Sequence, residues 1–265
     1  MTRLCIVGGG RMGQALTGGL LRSGWIEPSE LAVAEKYPDT RKELEHRFPG
    51  IDVTEHPVAA GSAVLAVKPA DAAAASAAIA ERGISRVVSI VAGVRIAALE
   101  SWFGASTTVF RAMPNMPAVL GAGASALAGG HNASEDDFAW AEAVLSSIGV
   151  VARVPERLLD AVTGLSGSGP AYVFVLAEAL IEAGVGQGLD REVSRLLANQ
   201  TLLGSARLLT ELGEPAEELR ARVTSPGGTT AAGLRELENH GFRSAVIEAV
   251  AAATDRAREL GEQSS

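Results

Sequence analysis

Over the first 154 positions, short and uniformly apolar runs alternate with helical stretches. Arg3–Val7, Glu30–Ala34, Ala63–Val67, Arg86–Ile90, Thr108–Arg111 and Gly149–Val154 read as strands. Gly13–Ser23, Asp39–Phe48, Asp71–Glu81, Arg95–Trp102 and Ser134–Ile148 read as helices between or beside them. A strand that is apolar throughout, rather than at every second position, needs cover on both faces. A helix after each strand supplies that cover, so the pattern predicts a doubly wound parallel sheet. After Pro155 the pattern changes. Residues 156–265 hold no convincing strand but show helical periodicity over 170–185, 190–212, 229–239 and 243–260. The expected organisation is an α/β domain over 1–154 and an all-α domain over 155–265.

One helical segment is apolar almost all round: Pro170-Ala-Tyr-Val-Phe-Val-Leu-Ala-Glu-Ala-Leu-Ile181. Such a helix should be buried on most sides, and in a small helical unit a second subunit is the easiest cover. The expectation is therefore a homo-oligomer joined through its C-terminal half. The alternative is the central helix of a monomeric bundle.

Composition narrows the partners. The chain has 265 residues, 47% apolar but only 4% aromatic, so its core is built from Ala, Val, Leu and Ile in closely packed helices and strands. A net charge of −8 argues against nucleic acid or an anionic membrane as partner. Anionic ligands must then be held by local amides and a few basic side chains. A single Cys5 rules out an internal disulfide framework, and His46, His56, His131 and His240 are scattered without metal-ligand spacing, so no metal is expected. No apolar stretch approaches membrane-spanning length, since even Ala171–Ala177 ends at Glu178, and no cationic leader precedes Leu4–Val7. A soluble cytoplasmic protein is expected.

The first strand leads into Gly8-Gly9-Gly10-Arg11-Met12-Gly13 and then into a helix. Gly8, Gly10 and Gly13 form G-x-G-x-x-G in the strand–turn–helix setting that binds a dinucleotide pyrophosphate, which makes the first domain Rossmann-type. The second strand ends at Ala34-Glu35-Lys36, where ribose specificity is set. Glu35, 22 residues after Gly13, could accept from the 2′-hydroxyl of NAD, while Lys36 and Arg41 could offset its repulsion of the 2′-phosphate of NADP. The preference between NADPH and NADH stays open. Ala66-Val67-Lys68-Pro69, Ile90-Val91-Ala92 and Arg111-Ala112-Met113-Pro114-Asn115-Met116-Pro117 end later strands at the same edge, and together they make a wall for the nicotinamide.

In the second half, Thr224-Ser225-Pro226-Gly227-Gly228-Thr229-Thr230 breaks the preceding structure just before a new helix. The first amides of that helix lack carbonyl partners and carry the positive end of its dipole. Gly227 and Gly228 let an anion approach the backbone, and Thr229 and Thr230 place hydroxyls beside it. The arrangement suits the carboxylate of a small substrate; an ordinary capped loop is the other reading.

These residues resemble the pyrroline-5-carboxylate reductase family over nearly the whole chain and in order. The likeness takes in Gly8–Gly13, Ala66–Pro69, Arg111–Pro117, Val162-Thr-Gly-Leu-Ser-Gly-Ser-Gly-Pro-Ala-Tyr172 and Val223–Leu237, the last two being the most specific. The resemblance implies reduction of a cyclic imine bearing one carboxylate, with hydride from a nicotinamide. It implies that amides around Gly227, Gly228, Thr229 and Thr230 hold the carboxylate, and that the Thr230 hydroxyl bonds the ring nitrogen and acts in catalysis. It places Glu156 near the substrate, and implies an interleaved dimer through the C-terminal helices, with a decamer as the further assembly open to it. Two departures concern binding detail: Arg222 stands where the family would carry an asparagine, and no asparagine appears around Thr54-Glu55-His56 to touch the adenosine ribose.

Two competing functions meet the same residues. A β-hydroxyacid dehydrogenase needs a lysine in its second domain, and Lys36, Lys42 and Lys68 are the only lysines here. A nicotinamide-sensing module would have no use for the anion loop at 224–230. A reductase of another small cyclic imine differs only in pocket size.

Overall fold

The computed structural model describes Met1–Gln263. By internal contacts the chain forms two compact units: residues 1–168 together with the chain from Ala251 onward, and Gly169–Val250.

The first unit is built on one eight-stranded sheet. Its strands are β1 (Leu4–Val7), β2 (Leu31–Ala34), β3 (Asp52–Thr54), β4 (Ser62–Leu65), β5 (Arg86–Ser89), β6 (Thr108–Met113), β7 (Gly123–Gly129) and β8 (Gly149–Arg153). Their spatial order is β3-β2-β1-β4-β5-β6-β7-β8. Helices α1 (Arg11–Arg22), α2 (Pro38–Arg47), α3 (Ala72–Ala80), α4 (Ile96–Phe103) and α5 (Glu135–Ser146) connect them. Side chains alternate across the pleat, so the uniformly apolar strands feed two cores at once. Leu4, Ile6, Val33, Val64, Val88 and Phe110 pack with Leu16 and Leu20 of α1. Cys5, Val7, Ala32, Ala63, Leu65, Val87 and Val109 pack with Ile79 of α3 and Leu99 of α4. Burial pushes the Cys5 thiol above its ordinary pKa, which leaves it an inert core residue.

The sheet departs from an all-parallel one. β7 pairs antiparallel with β6, Phe110 opposite Gly129 and Met113 opposite Ala126, and then carries β8 parallel to itself. Sequence patterning gives no strand at Gly123–Gly129 or Asp52–Thr54. The first is made of Gly, Ala, Ser and one Leu, with none of the β-branched or aromatic residues that mark strands. The second has three residues on an edge. A short continuation follows β8: a single turn at Glu156–Leu158, α6 (Leu159–Val162) and a π-helical turn at Thr163–Gly167, in which Ser168 N donates to Thr163 O at 2.8 Å.

The second unit holds α7 (Gly169–Gly186), α8 (Arg191–Glu211), α9 (Ala216–Arg222), α10 (Thr229–Asn239) and the beginning of α11 (Phe242–Gln263). Asp190 caps α8 by accepting from Glu192 N at 2.8 Å. Within the protomer α7 buries no residue, and α8 buries only Ser194 and Ala198. Phe174, Val175, Leu196, Leu197 and Ile247 all lie exposed, Val175 at 64%. So much apolar surface on one small unit needs another molecule to cover it. The helical stretch Glu156–Gly186, 31 residues long, is also long and apolar enough to cross a membrane by length and composition. This corrects the expectation that no such stretch exists: the apolar run at Pro170–Ile181 is extended on both sides by small residues that continue the helix. Glu178 and Glu182 sit within it, and Glu182 pairs with Arg191 at 2.7 Å.

Candidate active site

In the parallel part of the sheet the strands end in register. Val7 is opposite both Ala34 and Leu65, and Leu65 is opposite Ser89. The next residues extend the ladder by one bond each: Gly8 N donates to Ala34 O, Ala66 N to Val7 O and Ile90 N to Leu65 O, at 2.8, 2.8 and 3.0 Å. Gly8, Glu35, Ala66 and Ile90 therefore share one edge. The strand order reverses between β1 and β4, the switch point where open α/β sheets open a crevice.

The glycine loop fits a pyrophosphate. Gly8 has φ +109°, and a Cβ there would fall on the Ala66 carbonyl. A Cβ on Gly13 would fall on the Gly8 carbonyl oxygen, which is the close packing of helix on strand that the third glycine permits. At Gly10, by contrast, nothing lies within 4 Å of the missing Cβ. Gly10 is also the N-cap of α1, and no side chain caps it. The first α1 amides, with exposed Arg11 and half-buried Met12, thus begin at an open approach for a phosphate.

Beyond that loop lies a cleft of about 390 Å³. Gly8, Gly10, Glu35, Lys36, Tyr37, His56, Ala66, Val67, Lys68 and Asp71 line it. Glu35 is only 7% exposed, and its two oxygens accept from backbone: Oε2 from Gly9 N at 2.7 Å, Oε1 from Tyr37 N at 2.9 Å. It clamps the glycine loop to the end of β2. Arg41 donates to the carbonyls of Glu35 and Lys36 at 2.9 and 3.0 Å and approaches Glu55 at 3.8 Å. Lys36 reaches across to Asp71, Nζ to Oδ1 2.8 Å.

Further along the same edge, a second cavity of about 220 Å³ is lined by Pro69, Val91, Ala92, Arg111, Met113, Asp160 and Thr163, with Ala257 and Leu260 of α11. Arg111, 7% exposed, projects from β6 between two carboxylates, Glu156 at 3.2 Å and Asp160 at 3.7 Å. Glu156 Oε1 also accepts from Ile96 N, the first amide of α4, at 2.7 Å. Pro114 is buried. Asn115 uses both ends of its amide internally, donating to Ser166 O at 3.0 Å and accepting from Ala124 N at 2.8 Å. It ties β7 to the π-helical turn, where the widened backbone also brings Gly167 against the Met113 methyl, too close for a Cβ. Asp71, Asp160 and Thr163 escaped the sequence reading because each lies far along the chain from what it faces.

The remaining candidates lie in the second unit. Gly227 is left-handed, φ +71°, and a Cβ on Gly228 would collide with the Ser225 hydroxyl. Gly228 is the N-cap of α10 and has no side-chain cap. The first helical bond there runs from Ala232 N to Gly228 O at 3.2 Å, so the amides of Thr229, Thr230 and Ala231 precede it. Thr229 and Thr230 are exposed. Arg222, at the end of α9, pairs with Glu214 at 2.6 Å.

Comparison with known proteins agrees over the full length. A family model for pyrroline-5-carboxylate reductase dimerisation matches residues 156–260, and one for NADP oxidoreductase, coenzyme F420-dependent, matches 3–93. The chain is 46% identical to the pyrroline-5-carboxylate reductase of Mycobacterium tuberculosis, with 98% of this chain and 97% of that one covered. It is 42% identical to that of Synechocystis, covering 98% and 99%. Among solved structures, the pyrroline-5-carboxylate reductase of Coxiella burnetii superposes with a TM-score of 0.92 at 34% identity, covering 98% of each chain. The Plasmodium falciparum enzyme, solved with NADP bound, follows at 0.84 and 30%, again covering 98% of each. The chain belongs to the pyrroline-5-carboxylate reductase family.

Proposed function

We propose how this chain carries out the reaction of its family, the NAD(P)H-dependent reduction of the cyclic imine 1-pyrroline-5-carboxylate to L-proline. The protein is an oxidoreductase of proline biosynthesis, using NADPH or NADH. When bound, the nicotinamide supplies the hydride. Gly8–Gly13 hold the pyrophosphate, with Glu35 and Lys36 at the adenosine ribose. Ala66–Pro69, Ile90–Ala92 and Met113–Asn115 form the wall along which the cofactor lies, Asn115 through its main chain.

The start of α10 carries the substrate reading. Gly227, Gly228 and the amides of Thr229 and Thr230 receive the carboxylate, where unpaired donors and the helix dipole favour an anion. The Thr230 hydroxyl hydrogen-bonds the ring nitrogen. As hydride reaches carbon, the C=N π pair moves onto nitrogen, which takes up one proton from solvent to give the amine, and a positioned donor stabilises that gain. Most of the acceleration comes from holding the two reactants in contact. Glu156 acts near the substrate while its carboxylate holds Arg111 and the α4 amide. In this reading residues 1–154 bind the dinucleotide and 155–265 bind substrate and build the oligomer. The protein is cytoplasmic.

One assay tests the activity: cofactor absorbance at 340 nm followed with pyrroline-5-carboxylate, against NADPH and NADH separately. Substrate-dependent oxidation with stoichiometric proline is expected, and no oxidation with either cofactor refutes the reading.

The protomers join as a dimer through α7 and its neighbouring helices, and dimers associate into a decamer. Phe174→Glu with Val175→Glu would place charges on exposed positions of α7. Dimer dissociation is expected to strengthen by at least a hundredfold, about 3 kcal/mol, because a charge would have to be desolvated in an apolar contact. Sedimentation velocity reads this as a shift to monomer.

A further inference from the structure

The cleft beside β2 contains one ion pair that neither the glycine loop nor the sheet requires. Lys36 and Asp71 meet at 2.8 Å across its mouth, with side chains 53% and 41% exposed. Both line the cleft. Lys36 follows the β2 end, where the 2′ position of an adenosine ribose is read. Asp71 comes from the turn after β4, preceding α3, and its carboxylate caps no helix amide.

Two charges flanking Lys36 are already engaged. Glu35 is turned onto two backbone amides. Arg41 is held by two carbonyls and Glu55. Lys68 lines the same cleft but follows β4, so Lys36, two residues past β2, is the cation placed where the 2′ position is read. A 2′-phosphate would have to draw it away from Asp71 and then sit beside the carboxylate left behind. A 2′-hydroxyl would meet neither cost.

On the reading of this cleft as the adenosine end of the nucleotide site, we propose that Asp71 is a specificity-determining residue: by holding Lys36 it weakens binding of 2′-phosphorylated nucleotides relative to their 2′-hydroxyl counterparts. The hydrogen bond that Lys36 donates to Asp71 also holds the Lys36 pKa above its ordinary value, so Lys36 stays charged at neutral and mildly alkaline pH and the competition persists there. The pair is solvent-exposed, so its influence should shrink as salt rises.

The test is calorimetric titration of the full-length protein with 2′,5′-ADP and with 5′-AMP, without substrate. Asp71→Asn removes the charge and keeps the shape. It is expected to tighten 2′,5′-ADP by about tenfold and to change 5′-AMP by less than twofold. In the Asp71→Asn, Lys36→Ala double variant most of the gain should be lost, and the loss from Lys36→Ala should be larger in the Asp71→Asn background than in the wild type. An unchanged dissociation constant for 2′,5′-ADP in Asp71→Asn overturns the proposal, as does equal tightening of both nucleotides. Failure of both nucleotides to bind the wild-type protein is a different result: it removes the nucleotide reading of the cleft, and this inference with it.

Discussion

Replacing Thr230 with alanine is expected to lower kcat for pyrroline-5-carboxylate about a hundredfold while leaving the NADPH dissociation constant within twofold. The residue is the second of α10, in the unit that lacks the glycine-rich nucleotide loop, and its side chain is exposed. A single hydrogen bond to a group whose charge changes in the transition state contributes about 2–4 kcal/mol in comparable sites, and a hundredfold lies at the low end of that range. Thr230→Ser keeps the hydroxyl and should retain most of the turnover. Thr230→Val keeps the shape and should behave like alanine. The helix itself should survive all three changes, since the N-cap is Gly228 and Thr230 caps nothing. If the hydroxyl only shaped the carboxylate site, KM would rise and kcat would hold. Steady-state kinetics beside a cofactor titration separate the two outcomes.

Local features were legible in the chain, and features made by distant residues were not. The glycine loop declares itself because two of its glycines answer constraints within a few residues: Gly13 must pass the Gly8 carbonyl, and Gly10 must leave its approach open. The start of α10 is legible for the same reason, and its observed bounds, Thr229–Asn239, match those expected from periodicity. Strand β7 was not legible, because Gly123–Gly129 is held by pairing with β6 and β8 rather than by its own preferences. The need of α7 for cover from outside its own unit is legible in the all-round apolar pattern of Pro170–Ile181, while the equally thin burial of α8 has no such mark.

The charges show the same limit most clearly. Sequence spacing put Glu35 at the ribose as a free acceptor and Lys36 beside it as a free cation. Folding gives Glu35 the amides of Tyr37 and of Gly9, the latter 26 positions away, and gives Lys36 a carboxylate 35 positions away. Neither partner has a signature at the strand end. Position along the sheet edge was readable; which hydrogen bonds each side chain makes depended on the turns that the rest of the sheet brings alongside.

Arg111 is where that long-range assembly should matter most for stability. Arg111→Met is expected to destabilise the protein by about 2–3 kcal/mol, because it leaves Glu156 and Asp160 with no cation between them. Breaking a fully buried pair costs about 3–5 kcal/mol, and the smaller figure allows for the solvent that still reaches both carboxylates. Glu156 would keep the Ile96 amide as a donor, whereas among the described residues no other cation pairs with Asp160. Arg111→Lys should lose less: the charge stays, but one ammonium does not span both acids as the planar guanidinium does. Adding Glu156→Gln and Asp160→Asn to Arg111→Met should recover much of the loss, since the cost lies in the stranded charges and not in the missing contact. Urea unfolding at one fixed protomer concentration reads these differences without confusion from oligomer dissociation. Equal stability of Arg111→Met and wild type would mean that the two carboxylates are solvated well enough to need no counter-ion. Arg111 would then be free to serve the cavity's ligand.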